Sequence, residues 1–195
     1  MEAQLGSQMV CEHPVTYSRR SSNWVLENLD FLAPWHSSWW LDWGEAWSND
    51  PHGTDPRSNS FALWRYYCSL GSVIFTAEQG ERIVGMSVGL WLNDSYKPYW
   101  AKDSSKWSVK PEHGDFELAL VYVEPEFRGN GMLKHLAELR INEAKSLRDA
   151  QIQCAIGNAA SAFRLWVQCL DDPKDKSYSY YTNRGFSRLA AVHVK

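Results

Sequence analysis

Residues 123–132 combine residue types and a spacing that suit anion binding, because an apolar strand leads into a turn with two glycines where a helix begins. Gly129 and Gly131 lack a Cβ and tolerate positive φ, so several backbone N–H groups can converge at the helix N-terminus. Arg128 adds a fixed positive charge that suits phosphate oxygens. An ordinary glycine turn before an amphipathic helix has the same pattern, so both interpretations stay open.

The glycine turn (residues 128–133) and a second motif resemble the GNAT family of acyl-CoA-dependent N-acetyltransferases. The first motif reads V-x-P-x-x-R-G-x-G from Val123, and the second reads Y-x-x-x-G-F from Tyr181. The resemblance extends from about Ser72 to the C-terminus. It implies an α/β fold of the GNAT type, in which a central mixed sheet is flanked by helices.

The resemblance also implies acetyl-CoA as the co-substrate and no metal. In this family the turn binds the pyrophosphate, and the preceding strand hydrogen-bonds the pantetheine arm. Asn158 is assigned to pantetheine as well, although it is also a good N-cap for a following helix. The family pattern ends in a small residue where this chain has Leu133, which either narrows the space beside the pyrophosphate or packs inward. The residues assigned to CoA are Val121, Tyr122, Val123, Arg128, Gly129, Asn130, Gly131, Met132, Leu133 and Asn158.

Acyl transfer to an amine requires a base, because an alkyl ammonium has a pKa near 10.4 and must lose a proton before it attacks. Glu117 is the candidate, since it lies in the strand that enters the turn, where some family members place a glutamate base. Strict alternation would put Glu117 on one face with Ala119, Val121 and Val123. A solvent-facing strand residue is the competing interpretation.

A proton donor for the departing thiolate is the second requirement, and the family uses a tyrosine. Counting back from Gly185 selects Tyr181, with Tyr180 next, whereas counting forward from Asn158 selects Trp166. An indole is a poor proton donor, which favours Tyr181. The alternative is that these tyrosines only wedge the last helix against the sheet.

Eleven tryptophans are unusual for a chain of this length, and several lie close together near residue 40. The resemblance implies that the first two helices line the acceptor site. Trp39, Trp43 and Trp40 could therefore form an aromatic wall for a cationic or aromatic amine, with each cation–π contact contributing about 0.5 to 2 kcal/mol. Burial against the sheet is the competing interpretation.

Size and composition indicate one domain, because 195 residues with 44% hydrophobic residues provide one sizeable core. No apolar run approaches the roughly 20 residues that a membrane span requires, and no secretory signal is recognisable, so a cytoplasmic protein is expected. The four cysteines show no C-x-x-C spacing, and the histidines are scattered, which argues against a metal site. Residues 21–56 carry six Asp or Glu residues and no Lys or Arg, a charge that suits a cationic acceptor.

The elements that must position these residues fall into three parts. We expect residues 1–14 to fray, residues 15–70 to form acceptor-side helices and residues 72–195 to form the cofactor-binding core. Ser22 is the expected first N-cap, and Pro34 the expected end of the first helix. The predicted strands cover 15–18, 72–77, 82–92, 117–123, 151–156 and 186–194. The predicted helices cover 22–34, 37–46, 61–70, 132–147 and 159–170, and residues 93–115 are a predicted loop with an aromatic lid.

These observations predict an N-acyltransferase that moves an acetyl group from acetyl-CoA to a primary amine of a small molecule or protein. Direct attack in a ternary complex is the expected mechanism. Two alternatives remain: a donor that is a long-chain acyl-CoA or an acyl carrier protein, and a non-catalytic acyl-CoA sensor. Nucleic acid is not an expected partner, because the chain is acidic overall and lacks a basic patch interleaved with aromatics. A homodimer is compatible with the sequence.

Overall fold

The fold was analysed in a computed structural model, which describes residues 14–42, 46–94, 96, 109–154, 164–167 and 176–187. Its elements in chain order are β1 (Val15–Arg20), α1 (Ser22–Glu27), α2 (Leu29–Asp42), α3 (Ser60–Ser69), β2 (Val73–Gln79), β3 (Arg82–Trp91), β4 (Phe116–Val123), a 3₁₀ turn (Pro125–Phe127), α4 (Met132–Cys154), β5 (Leu165–Val167) and α5 (Lys176–Thr182). Within these residues, every helix is too short or too polar to cross a lipid bilayer.

The five strands form one mixed sheet in the order β1-β2-β3-β4-β5. The first three pairings are antiparallel, and β4 pairs with β5 in parallel. The predicted hairpin between β2 and β3 is confirmed, with Gly80 and Glu81 between the paired residues Gln79 and Arg82. The expected edge strand is also present, as β1. The predicted mixed sheet flanked by helices is therefore confirmed.

A β-bulge interrupts β4 in its middle. Val88 of β3 pairs with Leu120, whereas Leu90 pairs with Glu117, so two residues of β4 oppose the single residue between them on β3. One extra residue reverses the alternation of side chains along the strand. Ala119 and Leu120, although consecutive, consequently pack against the same cluster of core residues.

Helices cover both faces of the sheet, and each face has its own core. Leu120 and Tyr122 of β4 pack with the layer formed by α1, α2 and α3. Val121 and Val123 pack with α4 and α5 on the opposite face. We call these the front face and the back face, respectively. Glu117 belongs to the front face, because its carboxylate accepts a hydrogen bond from Tyr96, which packs in the front cluster.

This arrangement corrects the prediction that Glu117 shares a face with Val121 and Val123. Strict alternation assumes an uninterrupted strand, and the bulge between Glu117 and Leu120 breaks it. Ala119 stays with Glu117 on the front face, while the two valines lie on the back face.

Helix α2 corrects the prediction that a helix ends at Pro34. The first helix ends at Glu27 instead, and α2 continues through Pro34 to Asp42. An internal proline costs about 3 kcal/mol, but burial of Leu32 and Trp39 on either side offsets this cost. The first N-cap is Ser21 rather than Ser22, since its side chain accepts a hydrogen bond from the Trp24 amide at 3.1 Å.

The region after α4 differs from the prediction in two places. Helix α4 continues to Cys154, so the first part of the predicted strand 151–156 is helical. The parallel partner of β4 is instead Leu165–Val167, inside the predicted helix 159–170. A short apolar run does not distinguish a strand from a buried helical segment, which explains both errors. The predicted last strand begins at Phe186, which is not in a strand, and its residues 188–194 lie outside the described residues.

Candidate functional site

The glycine turn has the geometry of an anion site. Gly129 has φ +91° and Gly131 has φ +78°, and α4 begins directly afterwards at Met132. Among the residues that the structure describes, the backbone amides of residues 129–134 donate to no protein acceptor. Residues 128–131 are exposed to solvent. A phosphate group could therefore bind these amides with the favourable end of the helix dipole behind them.

Two arginines brace this turn from either side. Arg128 donates from Nε to the carbonyl of Val123 at 2.8 Å, and its guanidinium lies 5.5 Å from the ring centre of Tyr122. Arg82 pairs with Glu124 and with Glu126, and the Glu126 contact measures 2.6 Å. The turn is consequently fixed to the ends of β3 and β4, which lowers the entropy cost of binding a ligand there.

The first two side chains of α4 point into the protein. Met132 is buried, and Leu133 is half-buried and packs against the back core. This packing favours the inward orientation that the sequence left open for Leu133. Asn130 is exposed beside the two glycines. The other residue assigned to CoA, Asn158, lies outside the described residues.

The second half of β4 has no described strand beside it on the edge that faces β5. The described parallel pairing joins Phe116–Leu118 to Leu165–Val167, β4 continues to Val123, and residues 168–175 lie outside the described residues. No described strand pairs with this edge between residues 119 and 123. The Val123 carbonyl already accepts a hydrogen bond from Arg128, and an extended ligand such as a pantetheine arm could lie along the rest of this edge.

Glu117 lies at the bulge, with its carboxylate turned toward the front face. It is 4% exposed, and the Tyr96 hydroxyl donates to Oε2 at 2.5 Å. Burial and, secondarily, the Glu117 carboxylate raise the pKa of both Tyr96 and Tyr66 above their usual value. A buried carboxylate among tyrosine rings can accept a proton from an amine or hold an ammonium group.

Tyr181 lies in α5 on the back face. It is 2% exposed, and its ring contacts those of Tyr180 and Phe186 with centres 5.0 and 5.2 Å apart. Its hydroxyl is 3.5 Å from Nη2 of Arg140. The two predicted catalytic residues thus approach β4 from opposite faces.

Trp166, which the competing count selected, has a different environment. It lies in β5 opposite Glu117 and donates its indole N–H to Oδ2 of Asp115 at 2.8 Å. The Asp115 carboxylate also pairs with Arg164 at 3.1 Å. Trp166 therefore anchors β5 to the start of β4.

Arg140 is a component of this region that the sequence analysis did not identify. The side chain is completely buried, and Nη1 donates to the carbonyls of Val88 at 3.0 Å and Leu120 at 2.9 Å. Burial lowers the pKa of its guanidinium. The sequence contains a signal for the burial of Arg140, because this residue follows Leu136 and precedes Ala144 at intervals of four on the apolar stripe of α4. A charged residue on such a stripe needs partners in the interior.

The predicted aromatic wall is only partly exposed. Trp39 is 8% exposed within the front core. Trp40 is half-buried and stacks on Trp47, with ring centres 4.8 Å apart and planes 10° apart. Trp43 lies outside the described residues. Of the three predicted acceptor residues, Trp40 therefore has described surface that a ligand could contact.

A buried chain of hydrogen-bonded polar side chains lies beside these tryptophans. Trp40 donates to Nε2 of His36 at 2.9 Å, so Nδ1 carries the proton and faces Ser60 Oγ at 2.7 Å. Ser60 lies 2.8 Å from Ser37 Oγ, which donates to Asn49 Oδ1 at 2.5 Å. Burial lowers the pKa of His36 to about 3. The imidazole is neutral at pH 7 and joins α2 to α3 and to the loop between them.

Comparisons with known proteins agree with this architecture. Residues 32–186 match the sequence profile of the Acetyltransferase (GNAT) family. A comparison with curated proteins found no match.

Solved structures with the same fold cover almost the whole chain. A predicted acetyltransferase from Clostridium acetobutylicum, solved with acetyl-CoA, has a TM-score of 0.59 and 14% identity, covering 93% of this chain and 96% of its own. An aminoglycoside acetyltransferase from an uncultured soil metagenomic sample has a TM-score of 0.54 and 13% identity, covering 93% of this chain and 94% of its own. The aminoglycoside N-acetyltransferase AAC(6')-Iy with CoA has a TM-score of 0.51 and 15% identity, covering 96% and 97%.

Proposed function

Because the chain belongs to the GNAT acetyltransferase family and is an acyltransferase, we propose that it transfers an acetyl group from acetyl-CoA to a primary amine by direct attack in a ternary complex. The observation that carries the proposal is that Glu117 lies on the front face of β4 while Tyr181 packs in the core on its back face. In this proposal acetyl-CoA lies along the edge of β4 that faces β5. A thioester that lies along this edge has a base on one side and an acid on the other.

The glycine turn and the β4 edge supply the donor site in this proposal. The amides of residues 129–134 hold the pyrophosphate, supported by the helix dipole and by Arg128. The backbone of residues 121–123 holds the pantetheine arm. Acetyl-CoA supplies the activated acyl group, and the protein supplies position and proton transfer.

The reaction begins when Glu117 removes a proton from the ammonium form of the acceptor, because only the neutral amine can attack. The amine nitrogen then bonds to the carbonyl carbon, and the carbon–sulfur bond breaks with its electron pair on sulfur. The thiolate takes the hydroxyl proton of Tyr181. The nitrogen releases its second proton to solvent, an acetamide and free CoA leave, and solvent returns the proton from Glu117 to Tyr181.

The acceptor is proposed to be a cationic amine that approaches from the front face. Glu117 provides a counter-charge, and Tyr66 and Tyr96 provide ring faces near it. The six acidic residues within 21–56 attract a cation to the same half of the chain. Trp40 and Trp43 are the proposed indole contacts, supported by Trp39 from the core.

Acyl transfer to a panel of amines tests the proposal. The panel contains an aminoglycoside, a polyamine and a lysine peptide, with CoA release and product mass as readouts and calorimetry for CoA affinity. Glu117→Gln and Tyr181→Phe should each lower kcat by about 10²- to 10⁴-fold and leave CoA affinity within about threefold. CoA binding without any acylated product would instead indicate a sensor, and absence of CoA binding at millimolar concentration would exclude the donor site.

A further inference from the structure

The back face of β4 contains a buried cation that the reaction above does not use. The hydrogen bonds of Arg140 within the described residues go to three backbone carbonyls and to the hydroxyl of Tyr181. Its carboxylate counter-charge is Glu117, which interacts with it electrostatically across the strand. A guanidinium without a directly bonded carboxylate is expensive to bury, so its position calls for a role beyond packing.

Two of those carbonyls belong to the pair of residues on β3 and β4 that lies next to the bulge. Val88 and Leu120 pair directly across β3 and β4, and Nη1 of Arg140 donates to both carbonyls. Arg140 therefore fixes the position at which β4 changes its alternation. The same side chain then reaches α5 through Nη2.

The contact with Tyr181 has a defined direction. Guanidinium has donors and no acceptor, so the tyrosine oxygen must accept the hydrogen bond from Nη2. The phenol proton consequently points away from Arg140. The 3.5 Å separation is long, as hydrogen bonds at catalytic sites without substrate often are.

We propose that Arg140 is a positioning residue for Tyr181, which orients its hydroxyl and stabilises the phenolate that remains after the thiolate has taken the proton. This inference rests on the proposed acetyl transfer. In that step the amine nitrogen bonds to the carbonyl carbon, the carbon–sulfur bond breaks, and sulfur receives the Tyr181 proton. A negative phenolate in an apolar interior is unfavourable alone, and an adjacent guanidinium offsets that cost.

Three charged or titratable groups of the described residues lie near this pair. Arg140 interacts with Tyr181, Tyr180 and Glu117. Tyr180 faces Arg184, whose guanidinium lies 3.8 Å from its ring centre. Arg140 favours a phenolate at Tyr181, so removal of Arg140 takes away a favourable positive charge that lies beside the Tyr181 hydroxyl.

A double-mutant cycle tests the proposal with Arg140→Met, Tyr181→Phe and the combined variant. Arg140→Met should lower kcat about 10- to 100-fold, with the Kd of CoA within about threefold of the wild type. In the Tyr181→Phe variant, Arg140→Met should lower kcat less than about twofold, because the hydroxyl that Arg140 acts on is absent. Arg140→Lys keeps the charge and should recover at least part of the rate.

A spectroscopic titration supplies a readout that does not depend on turnover. The tyrosinate absorbance that disappears with Tyr181→Phe isolates the ionisation of Tyr181. In Arg140→Met this signal should appear at higher pH than in the wild type, whereas Arg140→Lys should stay close to it. Thermal unfolding identifies any variant that fails to fold. If Arg140→Met does not fold, the comparison of Arg140→Lys with the wild type tests the proposal.

The outcomes separate the two levels of the proposal. A wild-type protein that acylates no amine overturns the proposed function and the role of Arg140 together. In an active enzyme, equal losses in both backgrounds together with an unmoved tyrosinate signal overturn the role of Arg140 alone. Coupled losses with a shifted signal support it.

Discussion

Trp40 donates its indole hydrogen to Nε2 of His36 at 2.9 Å, and this single contact sets the tautomer of a buried polar chain. An indole N–H can only donate, so Nε2 must be unprotonated. The remaining ring proton on Nδ1 is directed at Ser60. Protonation of His36 would place a second hydrogen against the indole and a charge in the core.

His36 should therefore make stability depend on pH. Its pKa is about 3 in the folded protein and 6.5 in the unfolded chain, so below pH 6.5 the unfolded chain takes up a proton that the folded protein does not. The free energy of unfolding then falls as pH falls, by about 1.4 kcal/mol per pH unit at most and about 2 kcal/mol between pH 7 and 5. Urea denaturation of wild type and His36→Gln at both pH values measures this difference.

The exposed His52 provides the control for that experiment. His52→Gln should retain the pH dependence of the wild type. If the free energy of unfolding changes equally with pH in wild type and His36→Gln, the pKa of His36 does not differ between the folded and unfolded states.

The φ angle of Gly131 predicts a specific effect on cofactor binding. An alanine at φ +78° is strained by about 1 to 2 kcal/mol, and relaxation would turn the amides of the glycine turn away from a common point. Gly131→Ala should therefore lower stability by about this amount and weaken CoA binding about tenfold or more. Calorimetry with CoA and thermal unfolding measure the two effects.

Gly71 is a matched control, since it has φ +67° and open space around it in the turn after α3. Gly71→Ala should cause a similar loss of stability and leave CoA affinity unchanged. If both variants weaken CoA binding equally, the effect comes from general destabilisation rather than from the glycine turn.

The packing of Leu133 predicts a stability effect without an effect on the donor. Its side chain is half-buried against the back core, so Leu133→Ala should cost about 1 to 2 kcal/mol. CoA affinity should stay within about threefold, because the side chain points away from the turn. Leu41, 62% exposed in α2, serves as the control, and Leu41→Ala should be neutral. Tighter CoA binding by Leu133→Ala would show that the leucine obstructs the pyrophosphate.

The Asp115 carboxylate should be the main anchor of β5. It accepts hydrogen bonds from Trp166 and from the amide and guanidinium of Arg164. Asp115→Asn removes the charge and should cost about 2 to 3 kcal/mol, less than a fully buried pair because Arg164 is partly exposed. Chemical denaturation measures the loss. Asp55→Asn, which breaks an exposed pair with Arg57, should have little effect, and equal losses would contradict the role of burial.

The parts of the fold that the sequence predicted are those with local chemical causes. Positive φ at Gly129 and Gly131 follows from the absence of a Cβ at a strand-to-helix turn. The β2–β3 hairpin follows from two β-rich runs separated by a short polar turn. Tyr181 was selected as the candidate acid because its motif is contiguous with Gly185, and this role stays a prediction.

The errors have tertiary causes that a single chain does not display. Pro34 is tolerated within α2 because neighbouring side chains are buried against the sheet. Trp166 lies in a strand because Asp115, far away in sequence, binds its indole. The bulge in β4 leaves no local signature in an apolar run, and so the face occupied by Glu117 was predicted incorrectly.

That bulge divides β4 into two segments that can diversify independently. In the proposed reaction, the front-face side chains upstream of the bulge contact the acceptor, while the strand edge and the glycine turn downstream of it contact the donor. We therefore expect replacements before the bulge to change which amine is recognised without changing the affinity for the nucleotide, and replacements after it to do the reverse. One additional residue would thus separate acceptor recognition from donor binding within a single strand.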